Sequence, residues 1–481
     1  MILSYLTTAI LFGILLLGKV FASSGITTAP PSSFLPKFTA KLPNSSKPLG
    51  GYTRIKQEFP PINIAYGSEK IGKYNHNVMF NYDIHVGFYI YWKNGILQED
   101  SNGQRILFSA SKTPHVYTKA RVLFPNLTIG NVPCSLEPSP SIQINGHVYA
   151  TASPAFINYT LKDLHVAQGA QCQLWPDSID PRNCGPAASY AVEYKHTLLL
   201  RRIYSNFTLG PMFWGSYDAP EIFSIQTKTF DIQTFTKNMD ETTYEDLKDI
   251  LKSNNMNPPC NTFESGSMKC EWCKGGCMLY DTIPFDLKIT NERAHYKFNF
   301  NSYANYMYKN TNIKYNGGDN NIGDVLLYRS ENTKHILYAS IRLNNSYNQN
   351  DWSELYETNI PNDNTNLNAG TLNDGKVYLA FNPVVRDEKT LHRDPLCIST
   401  SNDGGAHFNK IGVALTCHDL PRGDASSSCK PLFNHNVNYG VSYPQVLQVV
   451  QPAPEDHQGL YIAASNNKED IWIVKLNSDD V

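Results

Sequence analysis

Three polar clusters combine residue types able to move a proton and hold an anion. The first is Gln98-Glu99-Asp100-Ser101-Asn102-Gly103-Gln104-Arg105, where Glu99 and Asp100 stand beside Gln104, Arg105 and a flexible glycine. Such a set supplies a general acid and ligands for sugar hydroxyls. The second runs from Arg386-Asp387-Glu388-Lys389 to His392-Arg393-Asp394-Pro395-Leu396. An arginine there can clamp a carboxylate in a bidentate fork. The third is Asn438-Tyr439-Gly440-Val441-Ser442-Tyr443-Pro444-Gln445, with Tyr443 before a proline at the opening of a strand. On residue type alone the first cluster also reads as a solvated hairpin turn, the second as a surface ion-pair loop, and Tyr443 as a core tyrosine.

The elements that must position these clusters read as β-strands. Ser401-Asn402-Asp403-Gly404-Gly405-Ala406-His407-Phe408 fits Ser-x-Asp-x-Gly-x-x-aromatic. In such a turn the Asp side chain accepts backbone N–H bonds, the glycine supplies positive φ, and the aromatic plugs a gap below. Ser401, Asp403, Gly405 and Phe408 therefore have structural rather than chemical work. A second pattern places a turn residue before an apolar residue, a tyrosine and an apolar strand. It recurs around Tyr89, Tyr149, Tyr338, Tyr378 and Tyr461. The step from Tyr338 to Tyr378 is 40 residues and that from Tyr378 to Tyr461 is 83. A step of about 40 to 50 residues is one four-stranded propeller blade, with longer steps absorbing insertions. The stretch 206–300 breaks this rhythm. Thr242-x-x-Glu245 forms a capping box, and Tyr244, Leu247, Ile250 and Leu251 give an apolar stripe at helical spacing. A small helical insertion followed by clustered cysteines is expected over about 230–285.

The chain has 481 residues, 41% of them hydrophobic, with 41 basic against 43 acidic side chains. That content builds a sizeable core and excludes a disordered chain, and the balanced charge gives no global field for nucleic acid or an anionic membrane. Residues 8–18 are apolar and lead to Val20-Phe21-Ala22, a pattern read as a signal peptide over 1–22 and so as secretion. A retained N-terminal membrane anchor is the minority reading; no other stretch is long and apolar enough to span a bilayer. Residues 23–60, rich in Ser, Thr and Pro, read as a linker, which leaves 61–478 for the propeller. Sequons at Asn44, Asn126, Asn158, Asn206 and Asn344 agree with a secreted glycoprotein. The ten cysteines favour disulfides in that compartment, although Cys260, Cys270, Cys273 and Cys277 are also spaced for zinc. Cys417 and Cys429 are expected to close a loop after the Ser401 turn. No nucleotide, haem or metal motif stands out, so chemistry without a cofactor is expected.

With these residues in view, the chain resembles the sialidase (neuraminidase) superfamily with BNR repeats. The resemblance rests on the Asp-box turn, the Arg393-Asp394-Pro395-Leu396 approach to it, the Asn-Leu-Asn-Ala-Gly turn at 366–370, and Ser442-Tyr443-Pro444-Gln445. It is clearest over 325–475. It implies an all-β, six-bladed β-propeller acting on sugars, with a carboxylate-binding arginine triad, an aspartate acid/base, and a tyrosine nucleophile activated by a glutamate. Carried over by position, Asp100 resembles the acid/base, Tyr443 the nucleophile and Arg393 one triad arginine. Glu292 or Glu331 would activate Tyr443, and Arg293 and Arg329 are further triad candidates. Arg105, Gln104, Glu99 and His76 complete the expected substrate-binding set. The chain departs from the family where blade one opens, since Tyr74-Asn75-His76-Asn77 stands in place of Arg-Ile/Leu-Pro.

Three functions follow from these residues. The first is a secreted, retaining glycoside hydrolase of sialidase type, releasing terminal acidic sugars from a glycan or glycoconjugate. The second is a polysaccharide lyase, with His76 or Tyr443 as base and Arg393 or Arg105 neutralising a uronate carboxylate. The third is a carbohydrate-binding propeller without catalysis.

Overall fold

The computed structural model describes residues 35–42, 52–96, 104–126, 128–129, 132–157, 192–194, 197–216, 222–224, 233–234, 246, 263–264, 267–268, 289–299, 322–330, 334–342, 356–363, 365–383, 393–421, 429–433 and 440–481. Among these the chain is nearly all extended. Its regular helical pieces are single 3-10 turns at Cys417–Asp419, Glu455–His457 and Ser478–Asp480.

Five antiparallel sheets carry the architecture. The first contains Tyr74–Asp83, Gly87–Gly95, Arg105–Ser111 and Arg121–Phe124, in that order. The second is an eight-stranded sheet built around Val132–Ile144, His147–Ile157, Thr197–Ile203 and Leu209–Ser216. The third contains Ile289–Asn299, Ile322–Ser330, Ile336–Arg342 and Tyr356–Pro361. Asn368–Thr371, Val377–Phe381, Leu396–Ser401 and Lys410–Leu415 form the fourth. The fifth joins Val441–Val449, Gly459–Asn466 and Asp470–Leu476 to an early strand, Ile62–Ala65, so that residues from near the two ends of the chain close one sheet. The leading strands pack side by side in the order Val132–Ile144, Tyr74–Asp83, Val441–Val449, Asn368–Thr371, Ile289–Asn299. Sheets ranked radially about an inner ring of first strands make a β-propeller.

The core lies between the blades. Along Gly87–Gly95 every residue is buried. Phe88, Ile90 and Trp92 pack toward Tyr461 and Ile473 of the fifth sheet, while Tyr89 and Tyr91 pack toward Leu136 and Val148 of the second. The period-2 alternation of a strand thus feeds two interfaces at once, which is why these strands read as continuous apolar runs. Tyr89, Tyr149, Tyr378 and Tyr461 all lie on the second strand of their sheets, whereas Tyr338 lies on the third, and Tyr328 holds the second-strand place in that sheet. A turn-apolar-Tyr pattern marks any strand buried on both faces, so it does not by itself number the strand within a blade.

The Ser401 turn forms as its residue types dictate. Asp403 accepts from the His407 amide at 2.9 Å, and Ser401 Oγ donates to Asp403 at 2.6 Å while accepting from the Gly405 amide at 2.9 Å. Gly404 and Gly405 take φ of 72° and 91°, a region open to glycine at no steric cost. Phe408 is fully buried beside Phe38 and Phe381. Beyond it, Cys417 and Cys429 form the expected disulfide.

Two expectations need adjusting. Part of the supposed linker belongs to the fold: Lys37–Phe38 pairs in parallel with His407–Phe408, and Thr53–Arg54 with Gly412–Val413. Phe38 and Ile55 are buried in the core, and these apolar residues within the Ser/Pro-rich stretch are what hold it down. The insertion at 230–285 falls almost wholly outside the described residues. Asp246, in helical conformation, is described within it, as are three short extended pairs. The five sheets are those of the described residues, and the stretch between the second and third contains few of them.

Candidate functional site

Tyr443 opens the innermost strand of the fifth sheet with φ of +59°, a left-handed conformation that costs a bulky side chain roughly 1–3 kcal/mol. Two local features impose it. Pro444 cannot donate to the ladder, and the register with Gly459–Asn466 slips between Ser442 and Gln445. The strand is thereby twisted so that the phenol meets three side chains from other blades. Arg329, at the end of Ile322–Ser330, donates from Nη1 to the phenolic oxygen at 2.6 Å. Arg393 lies with its guanidinium carbon 5.5 Å from the ring centroid, and that of Arg329 lies at 5.9 Å. His76 covers the ring with a centroid separation of 3.9 Å.

All four side chains are buried. Two guanidinium groups converging on one phenol, in a site of reduced dielectric, offer the forked donors that suit a carboxylate. The donor on the phenolic oxygen also favours negative charge developing there. His76 is held from behind. Its Nδ1 lies 2.6 Å from Ser465 Oγ, and that hydroxyl donates to the Ser442 carbonyl at 3.2 Å. A hydroxyl has one proton to give, so the short contact requires the ring Nδ1–H as donor, which puts the lone pair of a neutral imidazole on Nε2.

The backbone scaffold is shared among these groups. Asn382 Nδ2 contacts the carbonyls of Arg393, Pro395 and Val441 at 3.2, 2.9 and 2.9 Å. Asp394 accepts from the Cys417 amide at 2.8 Å. Gly440, with φ of +110°, packs so closely on Arg393 that a Cβ there would lie 2.6 Å from the Arg393 carbonyl oxygen. Below His76, the buried Lys93 bonds Glu137, whose other oxygen accepts from Asn77 at 3.0 Å.

The structure therefore brings together Tyr443, Arg393, Arg329 and His76 of the sequence-derived set. Arg105 serves the framework instead: it donates to Asn94 Oδ1 at 2.8 Å and to the Ile71 carbonyl at 2.7 Å, and burial lowers its pKa. Gln104 beside it is fully buried. Glu292 and Arg293 lie on the first strand of the third sheet: Arg293 pairs with Tyr328, and Glu292 falls in the slipped stretch between that pair and Ile289 with Ser330, alongside position 329. Asp100, Glu99 and Glu331 lie outside the described residues. Ser465, Asn382 and Glu137 were not singled out in the sequence, because serines and asparagines within strands carry no spacing signature of a site.

With that geometry in place, the comparisons bear on ancestry. Residues 320–453 match the model of the BNR repeat-like domain. A solved sialidase structure aligns over 92% of this chain with a TM-score of 0.57 at 16% identity. Residues 320–453 thus match a BNR repeat-like domain, and the chain shares the fold of that sialidase. The same alignment covers 35% of that sialidase, so the chain spans about a third of its length. The NanB sialidase of Streptococcus pneumoniae also matches, at 10% identity and a TM-score of 0.43, over 89% of this chain and 72% of NanB. No curated protein matches the chain significantly. At 16% identity the likeness shows the fold alone, and activity has to be argued from the site.

Proposed function

We propose that this chain is a retaining glycoside hydrolase that releases a terminal acidic sugar, sialic acid or a close relative, from a glycan. The observation carrying the proposal is the Arg329 hydrogen bond to Tyr443 with Arg393 against the same ring. In this reading the two arginines hold the sugar carboxylate. The Tyr443 oxygen attacks the anomeric carbon as the leaving oxygen takes a proton from Asp100, and water then releases the sugar from the enzyme. A neutral phenol suits this role because a carboxylate nucleophile would be repelled by the substrate's own charge, the recognised exception to the two-carboxylate scheme. Glu292 is assigned to draw the phenolic proton. Tyr443→Phe is expected to lower turnover of a fluorogenic sialoside by about 10³-fold or more while leaving the thermal midpoint near wild type. Unchanged turnover in a folded variant would remove Tyr443 from the chemistry.

A second reading is favoured by the close, tilted contact of the His76 ring with that of Tyr443. A neutral imidazole with its lone pair on Nε2, two arginines to neutralise a uronate and a phenol to protonate the leaving oxygen form the set needed for β-elimination. An unsaturated product absorbing in the ultraviolet, formed from an acidic polysaccharide and lost in His76→Ala, would select it over hydrolysis.

We also propose that residues 1–22 are removed and the mature chain is secreted. An N-terminus beginning at Ser23 on protein recovered from medium is the expected result. Among the described residues no helix is long and apolar enough to cross a membrane.

A further inference from the structure

A cavity lies away from Tyr443. The strands beginning at Tyr74 and Val132 start on the Tyr443 side and end, at the far face of the propeller, in the turns at 83–87 and 144–147. Those turns and the hairpin end at 203–209 enclose a cavity of about 530 Å³. This volume falls within the range of roughly 300–1,000 Å³ typical of small-ligand sites.

Its lining is divided in character. Val86, Val148 and Ile203 are buried apolar residues at the wall. His147 supplies an imidazole and Arg202 a guanidinium group, whose carbon lies 4.9 Å from the Tyr204 ring centroid. His147 is oriented from behind. Its Nδ1 lies 2.6 Å from Oδ2 of Asp246, a carboxylate that also accepts from Asn145 at 2.7 Å and Tyr149 at 2.9 Å. Asp246 is 99 residues distant in the chain from His147 and its side chain is 1% exposed. With Nδ1 engaged, Nε2 is the ring nitrogen left to serve a ligand.

Among the described residues, basic groups outnumber carboxylates about the cavity: Arg202, Lys112 and Arg121 against Asp83 and Asp246. The neighbouring carboxylates already receive several donors: Asp246 takes the three just named, and Asp83 accepts the amides of His85 and Val86 at 2.9 and 3.0 Å. On the cationic side, Lys112 donates to the carbonyls of His85 and Val86 at 2.8 and 3.0 Å, and Arg121 donates to that of Phe207, so both ammonium and guanidinium charge sit behind the cavity wall.

We propose that this cavity is a non-catalytic binding site for an anionic saccharide unit, in which Arg202 and His147 take a carboxylate or sulfate and the apolar strip receives the sugar ring. It would hold a glycan on the face opposite Tyr443, independently of the chemistry assigned there.

The test is hydrogen exchange of the full chain with and without a chondroitin 4-sulfate tetrasaccharide, read by mass spectrometry. Slowed exchange in peptides covering 84–86, 146–148 and 202–205 is expected. In Arg202→Ala that protection should fall to the unliganded level, with His147→Gln reducing it and Lys334→Ala leaving it intact. Unliganded exchange at 441–449, matching wild type, verifies that the Arg202 variant is folded. Protection confined to 74–78 and 441–445, no protection at millimolar tetrasaccharide, or full protection persisting in Arg202→Ala would each overturn the proposal.

Discussion

Pro444 and the register slip hold Tyr443 in a backbone conformation that its side chain disfavours, and Arg329, Arg393 and His76 meet its phenol there. Relieving the strain and removing the partners should therefore be separable. Ser465→Ala deletes the acceptor for His76 Nδ1 without touching Tyr443. Loss of a buried hydrogen bond is worth about 1–2 kcal/mol, so kcat/KM is expected to fall roughly tenfold, with the thermal midpoint little changed. A kcat/KM equal to wild type across the pH range would show that the imidazole orientation is irrelevant. Gly440→Ala acts on the backbone instead. A Cβ 2.6 Å from the Arg393 carbonyl oxygen, at φ of +110°, forces the Arg393 segment to move. It is expected to cost at least about 2 kcal/mol of stability in urea titrations and to lower activity with it.

At the scale of elements, the Asp-box turn and the early strand laid beside it act as one unit. Phe38 meets Phe381 edge-on with centroids 6.0 Å apart and shares a cluster with Phe408. Phe38→Ala is expected to destabilise the fold by about 3–4 kcal/mol in chemical denaturation, as for other buried Phe truncations, with the kcat of the folded fraction retained because Tyr443 lies at the opposite ends of the strands. The hairpin carrying Asn145, His147 and Tyr149 is pinned in a different manner. Burial alone would raise the Asp246 pKa, but hydrogen bonds from Asn145, His147 and Tyr149 outweigh it and the net shift is downward from 3.8. A carboxylate with a depressed folded-state pKa stabilises the fold above its unfolded value, and that contribution is lost as pH falls through the folded one. Asp246→Asn should accordingly flatten the loss of stability below about pH 4. An acid-unfolding profile parallel to wild type would argue against the linkage.

For the whole molecule, the propeller was legible in sequence because strands buried on both faces recur, as at Gly87–Gly95, and because one turn, Ser401–Phe408, has fixed side-chain duties. Tyr443 and Arg393 stood in polar clusters that residue type alone left open between site, core and surface loop, and the resemblance to the sialidase superfamily is what gave them roles. What sequence did not reveal is contact made by closure. Arg329 reaches Tyr443 across 114 positions, and His76 reaches Ser465 across 389. Such meetings depend on how far each blade turns about the ring, which no local pattern encodes. The assignment of Phe38 to a linker has the same origin: a single aromatic in a Ser/Pro-rich stretch shows its role only once its distant neighbours are present.

The strand Ile62–Ala65 has its partner in Asp470–Leu476, and Asn63 contacts the Ile471 carbonyl across 408 positions. During translation at about 5–20 residues per second, that strand would wait roughly 20–80 s before its partner emerges. Through that interval its hydrogen-bonding edge is open to other nascent chains on the same messenger, so yield should depend on ribosome spacing and on chaperones that shield extended segments. Slowing initiation, which thins the ribosomes along the message, is a direct way to raise the recovered fraction of closed rings.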